Sequence, residues 1–322
     1  MISSHTWPVA LLISLVSCGP AAPAPHSPVL NDSSPPPAVA SVSAPAPAKP
    51  AAPPDDARGG RLYDDWRREK NLGDAFTPDS AKTPELDGKG GPNRNGTLND
   101  ISGTPMPNSG HDYRLKNLFG WDLRGSEGIY GADYQKKSFV LPQNLLSDAR
   151  SPAELRTWLE QGGPGVPAFG AVLDARDLDD LVAFLVKTRA KELVTPELVF
   201  KLDKTAPKGF ALLAGGNATL GKQRYAAGCS KCHGDDGRKL PIDEVESVGT
   251  LSRSSGYEIW FKIAHGQPGT EMDRQLSERG GVAQAQAVLD LLAALCDRKA
   301  FPALGSGKDV PDADPRCGQY LR

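Results

Sequence analysis

The most informative segment of this 322-residue chain reads Cys229-Ser230-Lys231-Cys232-His233. Two cysteines three residues apart, followed directly by a histidine, form the attachment signature of a c-type haem. Residues three and four apart lie on one face of a helical turn. Both thiols would therefore bond the porphyrin from one side, and His233 would bind the iron as its proximal ligand. The motif predicts one covalent haem c.

Two other uses of a Cys-x-x-Cys pair are alternatives to haem attachment. A thioredoxin-like redox pair would need a βαβ context, and a structural zinc site would need a second pair of ligands at metal spacing. The sequence pattern offers neither, so the haem interpretation is preferred.

The segments on either side of the motif read as helices. Residues 217–228 carry Gly221 and Tyr225 four positions apart, and residues 282–295 carry an apolar stripe. With these flanks, residues 217–295 resemble a small monohaem cytochrome c of the His/Met type. The resemblance implies that the two helices cross where Gly221 and Tyr225 meet the stripe. It also implies that the carbonyl of Pro241 orients the proximal imidazole.

The second axial ligand is predicted from the same resemblance. Met272 follows a Gly/Pro loop, 39 residues after His233, as the axial methionine does in that family. Asp273 stands where the family usually has a proline, so this loop would be more open or more polar. His265 is the rival ligand, and its other interpretation is a residue that caps the preceding helix.

An internal repeat predicts a second domain of the same kind. Residues 154–169 align with residues 258–273 through a shared Gly-x-Pro-Gly core, and a terminal helix follows each, at 177–188 and 282–295. In this frame Ala168 stands opposite Met272. An unrelated helical domain with a chance Gly/Pro loop is the alternative.

The first copy lacks every residue that would fix a haem. Leu115, Leu118 and Phe119 stand where the two cysteines and the proximal histidine stand in the second copy. Gly120 follows, and the next residues look like those after the haem motif in a bacterial cytochrome family. Losing a haem would leave a cavity, which is costly unless side chains fill it. The expected filling comes from these three residues and from Trp121, Tyr130, Tyr134 and Phe139.

The amino-terminal segment resembles a signal peptide followed by a long linker. A short apolar run ends in Leu-Val-Ser-Cys18, which resembles the lipobox of bacterial lipoproteins, so residues 1–18 are predicted to be a signal peptide and Cys18 the lipidated residue. No Lys or Arg precedes the run, and a plain tail is the alternative. Residues 19–57 are rich in Pro and Ala and are predicted to be a disordered linker.

Two cysteines remain after lipid and haem are assigned. Cys296 and Cys317 bracket a Gly/Pro/Asp-rich tail and can pair in an oxidising compartment. Two free thiols or a metal clip are the alternatives.

Together these patterns predict an all-α protein with two tandem cytochrome c-like domains, a haemless one at 58–191 and a haem-binding one at 195–322. The predicted function is electron transfer between periplasmic or membrane redox proteins, with the chain anchored by lipid to a membrane and facing the periplasm. Gly19, rather than Asp, follows Cys18, and by resemblance to the enterobacterial sorting rule this favours the outer membrane. A formal net charge of −2 argues against a nucleic-acid partner. No small-molecule substrate is inferred. A haem-containing subunit of a periplasmic oxidoreductase and a haem-based sensor are the alternatives.

Overall fold

The structure is a computed structural model that describes residues 52–71, 97–99, 105–107, 114–129, 140–164, 166–203, 205–242, 245–278, 280–305 and 308–322. The predicted signal peptide, with Cys18, and the linker up to residue 51 lie outside these ranges, as do Tyr130, Tyr134 and Phe139. Residues Ala52–Arg322 form one compact unit. We refer to its described residues up to 194 as the first half and to those from 195 as the second half.

The described part of the chain is mainly helical, as the sequence predicts. Its eight α-helices are α1 (Asp56–Glu69), α2 (Leu115–Phe119), α3 (Pro152–Gln161), α4 (Ala175–Arg189), α5 (Ala218–Gly228), α6 (Ser230–His233), α7 (Val248–His265) and α8 (Gly281–Leu295). Four short strands accompany them, and these the sequence analysis did not predict. Strand β1 (Thr97–Asn99) pairs antiparallel with β2 (Pro105–Pro107), and β3 (Phe200–Leu202) pairs antiparallel with β4 (Phe210–Leu212).

The helix ends follow from local chemistry. Helix α1 begins directly after Asp55, whose carboxylate accepts hydrogen bonds from the amides of Ala57 and Arg58. Helix α1 therefore begins at Asp56, inside the segment 19–57 that the sequence predicts to be the linker. Helices α3 and α4 each open with a reciprocal capping box, at Ser151 and Asp174. The predicted helices 177–188, 217–228 and 282–295 are confirmed within two residues at each end.

In the first half, α1 packs across α4 at very short range. The main chain at Gly59 is so close that an added Cβ atom would lie 2.0 Å from the carbonyl oxygen of Asp180. The amide of Asp55 donates a 2.7 Å hydrogen bond to the carboxylate of Asp180. Only glycine permits this approach of two helices.

The second half repeats this crossing with α5 and α8. A Cβ atom at Gly221 would lie 1.9 Å from the carbonyl oxygen of Asp290. The amide of Asn217 donates a 2.8 Å hydrogen bond to the carboxylate of Asp290. Since both the short approach and the cap contact recur, the two halves place their first and last helices in the same way.

In each half, a tyrosine on the first helix makes the same hydrogen bond, to the carbonyl of a glycine that ends a short helix. The hydroxyl of Tyr63 donates a 2.6 Å hydrogen bond to the carbonyl of Gly120, and that of Tyr225 donates a 2.9 Å bond to the carbonyl of Gly234. Both glycines end a short helix with nearly equal torsions, φ 79° and ψ 160° at Gly120 and φ 80° and ψ 163° at Gly234. The backbone around Phe119 and His233 is therefore built alike.

One continuous hydrophobic core joins the two halves. Phe261 of α7 lies at its centre, with ring centroids 5.8 Å from Tyr63, 5.2 Å from Trp121 and 5.9 Å from Phe184. Aromatic packing at these distances contributes beyond the buried area alone. The residues assigned from sequence to two domains therefore share one interior.

Candidate functional site

The predicted haem-attachment residues sit at the junction of α5 and α6. Cys229 separates the two helices, and its carbonyl accepts the amide of His233 at 3.0 Å. Cys232 and His233 fall on the short helix α6, which Gly234 ends in a left-handed backbone conformation. Neither cysteine forms a disulfide with another described residue; Cys229 is half-buried and Cys232 is exposed.

These residues face a cavity of about 810 Å3. That volume lies within the range typical of sites for small molecules and cofactors. Cys229, Cys232, His233 and Met272 all line it. The structure thus brings together the four residues that the sequence analysis selected for cofactor binding.

The rest of the lining supplied by the second half is largely apolar. It comes from the second half's first helix, the loop after α6, α7 and α8, and includes Tyr225, Leu240, Pro241, Ile242, Val248, Leu251, Ile259, Ile263, Leu291 and Leu295. An apolar wall with a few converging polar groups suits a large, flat, mostly apolar ligand.

Burial sets the protonation of the motif. It raises the pKa of the Cys229 thiol to about 11, and the neighbouring Cys232 adds to the effect. A nucleophilic cysteine of a thioredoxin-like pair needs a lowered pKa instead, so this environment does not favour that chemistry. Burial also lowers the pKa of His233, which keeps its imidazole neutral, the form that binds a metal.

One expected contact of His233 is absent among the described residues. Its Nδ1 atom is buried and has no hydrogen-bond partner there. Pro241 lines the cavity, but its carbonyl does not accept a hydrogen bond from this nitrogen. A ligand that fixes the other ring nitrogen would also fix the ring, and so allow Nδ1 to find an acceptor.

Met272 reaches the cavity from a tight loop after α7. Gly266 ends that helix at φ 96°, and an added Cβ there would lie 2.5 Å from the carbonyl oxygen of Met272. The same carbonyl accepts the amide of Gln267 at 2.8 Å. The side chain of Met272 is half-buried, whereas that of Asp273 is 82% exposed and lies 3.5 Å from Arg61 of α1. The polar residue expected after the methionine therefore faces solvent and the first half.

His265, the rival ligand in the sequence analysis, is not part of the cavity lining. It is the last residue of α7 and packs between the rings of Phe184 and Phe261, at centroid distances of 4.9 and 4.7 Å. Gly60 of α1 covers it, since an added Cβ there would lie 2.5 Å from the imidazole. His265 belongs to the core between the halves.

In the first half, the counterparts of the motif are buried. Leu115, Leu118 and Phe119 are at most 1% exposed, and Phe119 stacks near Trp158 at 5.8 Å. Trp121 is also in the core. These side chains occupy the interior at the positions where the second half opens its cavity.

Sequence reasoning missed a group of charged residues that line the cavity from the first half: Asp64, Asp65, Arg68, Arg114 and Lys116. Nothing in the local sequence marks them, because they reach the cavity only through tertiary packing. The matching of Gly59 and Tyr63 with Gly221 and Tyr225 was also missed. In that case the signal existed, since both pairs read Gly-x-x-x-Tyr.

Within the described ranges, no group of three or more His, Cys, Asp or Glu side chains is placed to hold a bare metal ion. None of the helices in the described part of the chain is long and apolar enough to cross a membrane. Comparisons of the chain with protein-family models, with curated proteins and with solved structures found no match.

Proposed function

We propose that this protein is a monohaem cytochrome c-like electron carrier. In this proposal the second half binds one haem c through thioether bonds to Cys229 and Cys232, with His233 and Met272 as the axial ligands. The observation that carries it is the convergence of these four residues on one cavity of about 810 Å3. The haem would supply a reversible one-electron couple.

The residues of the chain fit this cofactor. The apolar lining from α7 and α8 would exclude water from the haem ring. Exclusion of water from a metal site is one of the factors that set its reduction potential. His233, neutral by burial, would offer an imidazole nitrogen, and the thioether of Met272 favours the reduced iron. If His233 and Met272 both bind the iron, the haem would offer no open position to a substrate.

The proposal includes two tandem cytochrome c-like domains, of which the first has lost its haem. Support comes from the repeated helix crossings at Gly59 and Gly221 and from the repeated tyrosine contacts of Tyr63 and Tyr225. In the first half the haem-fixing positions hold buried apolar side chains instead.

The location and partners are proposed from the sequence. Cys18 would carry a lipid that holds the chain on a periplasm-facing membrane, and the Pro/Ala-rich segment would let the folded part reach its partners. Those partners are periplasmic or membrane redox proteins. A Cys18→Ala variant is expected to move from the membrane to the soluble periplasmic fraction, and an unchanged distribution would contradict the lipid anchor.

The test of the function is the haem content per polypeptide. The full chain is produced in a periplasm competent for haem c attachment, and intact mass and absorbance are measured on the same sample. We expect one covalent haem, the weak far-red band of Met-to-iron ligation in the oxidised state, and no carbon monoxide binding when reduced. A Cys229→Ala/Cys232→Ala double variant is the control and should carry no covalent haem.

Other outcomes would replace the proposal. No covalent haem in the wild type would reject it. Two haems, or one haem without the far-red band, would favour the oxidoreductase subunit. Rapid carbon monoxide binding would favour a sensor, for which the exposed flanks of Met272 at Glu271 and Asp273 give some support.

A further inference from the structure

The cavity of the second half has a wall that belongs to the first half. Asp64, Asp65 and Arg68 reach it from α1, and Arg114 and Lys116 reach it from the start of α2. Lys262 of α7 completes this charged side. The apolar residues and the haem-attachment motif come from the second half. Both halves therefore contribute to the lining of the cavity.

Asp64 is the centre of the charged wall. Its carboxylate forms ion pairs with both Lys116, at 2.5 Å, and Lys262. The carboxylate is 1% exposed and each lysine 8%. Two ammonium groups, each with three N–H donors, thus share one buried carboxylate. If all three groups are charged, the two lysines and Asp64 together carry one net positive charge. Some N–H donors of the two ammonium groups have no acceptor in Asp64, and the whole group is buried from solvent.

Neighbouring acids offset that excess only in part. Asp65 is engaged by arginines, with Arg114 at 2.8 Å and Arg68 at 3.8 Å. Glu258 and Glu271 line the cavity too: Glu258 is half-buried and its charge favours the protonated form of Lys116, whereas Glu271 is exposed and screened by solvent.

Two observations show how the excess charge is accommodated without an anion. Lys116 lies over the face of Trp121, with its ammonium 3.9 Å from the ring centroid, where the ring's electron density attracts a cation. Burial lowers the pKa of Lys116 to about 8, although Asp64 opposes that effect. An anion at this place would stabilise the charged lysine.

Resting on the proposed function, we infer that the haemless first half is one wall of the cofactor site, and that Lys116 and Lys262 bind the propionate carboxylates of the haem. A haem is apolar over its ring and anionic at one edge, where its two propionates lie. The cavity offers both kinds of surface, apolar side chains supplied by the second half and the ion-paired group of Lys116, Asp64 and Lys262. The lost haem site has thus become part of its neighbour's binding site.

The experiment compares four variants of the full chain with the wild type: Lys116→Met, Lys262→Met, Lys116→Arg and Arg156→Gln. Methionine keeps most of the lysine's length without its charge, and the remaining lysine still neutralises Asp64, so each variant should fold. Arg156 is a partly exposed cation of the first half outside the cavity lining and serves as the control. Circular dichroism and haem content are checked first.

The first readout is the resonance Raman spectrum in the region of the propionate bending modes. We expect these modes to shift in Lys116→Met and Lys262→Met and to stay unchanged in Arg156→Gln. The second readout is the redox equilibrium against a fixed reference couple. Losing a cation near the haem should favour the oxidised state by roughly threefold to tenfold, where tenfold corresponds to about 59 mV. In a Lys116→Arg variant, which keeps the positive charge, the redox equilibrium should return most of the way to that of the wild type.

The outcomes separate this inference from the proposed function. If the wild type carries no covalent haem, the proposed function itself is rejected. If haem is attached but neither lysine variant changes the propionate modes or the redox equilibrium, the inference is overturned and the proposed function stands. If one lysine variant fails to fold, the other decides between these results.

Discussion

The α-carbon of Gly59 lies against the main-chain carbonyl of Asp180, leaving no room for a Cβ atom, which would come within 2.0 Å of the oxygen. Gly221 and Asp290 repeat the relationship at 1.9 Å. In both cases the obstacle is a helix backbone, which cannot rotate away as a side chain can. The two crossings are therefore the most constrained points of the fold.

A methyl group at either crossing should destabilise the protein. We expect Gly59→Ala and Gly221→Ala each to lower the free energy of unfolding by about 3 kcal/mol, because the helices must separate to admit the methyl group. The measurement is urea denaturation followed by circular dichroism.

The matched control for this prediction is Gly228→Ala. Gly228 also lies on α5, but the nearest atom to an added Cβ is 3.8 Å away. Here alanine should stabilise the helix by about 0.5 to 1 kcal/mol. Equal losses at Gly221 and Gly228 would mean that the close approach of α5 and α8 does not limit stability.

The axial ligand gives a second prediction, which depends on the proposed function. Met272→Ala should abolish the far-red Met-to-iron band and lower the reduction potential, because a thioether ligand favours reduced iron. His265→Phe should keep the band, since His265 is in the core and not in the cavity lining. The measurements are absorbance of the oxidised protein and potentiometry. Absence of the band from the wild type, or its survival in Met272→Ala, would overturn the assignment of Met272 as a ligand.

Much of the site could be predicted from the sequence because its residues follow local rules. The Cys-x-x-Cys-His spacing and the glycine-rich loop before Met272 depend on a few neighbouring positions. The helices of the second half could be predicted for the same reason, from the apolar stripe of 282–295 and the segment that Asn217 caps.

A third prediction concerns acid stability and His265. Burial lowers the pKa of His265 to about 3; Arg274 and Arg61 oppose its charging, while Asp56 and Asp64 favour it. In the unfolded chain its pKa is about 6.5. The unfolded state therefore binds one more proton between pH 6.5 and 3, and stability falls as the pH falls through that window, by about 1.4 kcal/mol per pH unit.

The variant His265→Phe keeps an aromatic ring and removes the titrating group. Its stability relative to the wild type should be constant above pH 7 and should improve steadily from pH 6 to pH 4. Urea unfolding at each pH measures this. Parallel stability curves for the two proteins over the whole range would show that His265 does not drive the acid sensitivity.

A fourth prediction concerns the carboxyl-terminal tail. The structure contains the expected disulfide between Cys296 and Cys317, whose α-carbons are 5.9 Å apart, and both residues are fully buried. Replacing both by alanine should lower the free energy of unfolding by about 3 kcal/mol, since the closed loop spans 21 positions. Thermal unfolding with and without a reductant tests this. A wild type whose stability does not respond to reduction would contradict the prediction.

The charged wall could not be predicted, for a physical reason. Lys116 and Lys262 each read as an ordinary solvated lysine on a helix, and Asp64 as a surface residue of α1. Their contacts join positions up to 198 residues apart, so no local pattern encodes them. The match of Gly59 with Gly221 escaped for a different reason: both copies read Gly-x-x-x-Tyr, but they differ in the length of chain between their helices.

The pairing of α1 with partners so far along the chain sets the order in which a nascent chain can fold. The amide of Asp55 can form its hydrogen bond only after the carboxylate of Asp180, 125 positions further on, has been synthesised. Asp64 can pair with Lys262 only after a further stretch of chain, since the two are 198 positions apart. The corresponding cap of the second half, from Asn217 to Asp290, spans only 73 positions. Contacts between residues far apart in sequence form late, because the entropy of closing the long loop is lost before the contact can stabilise the chain. During synthesis, α1 leaves the ribosome first among the helices described here; it can pack against α4 once Asp180 has emerged, but its contacts are complete only after Lys262 has followed.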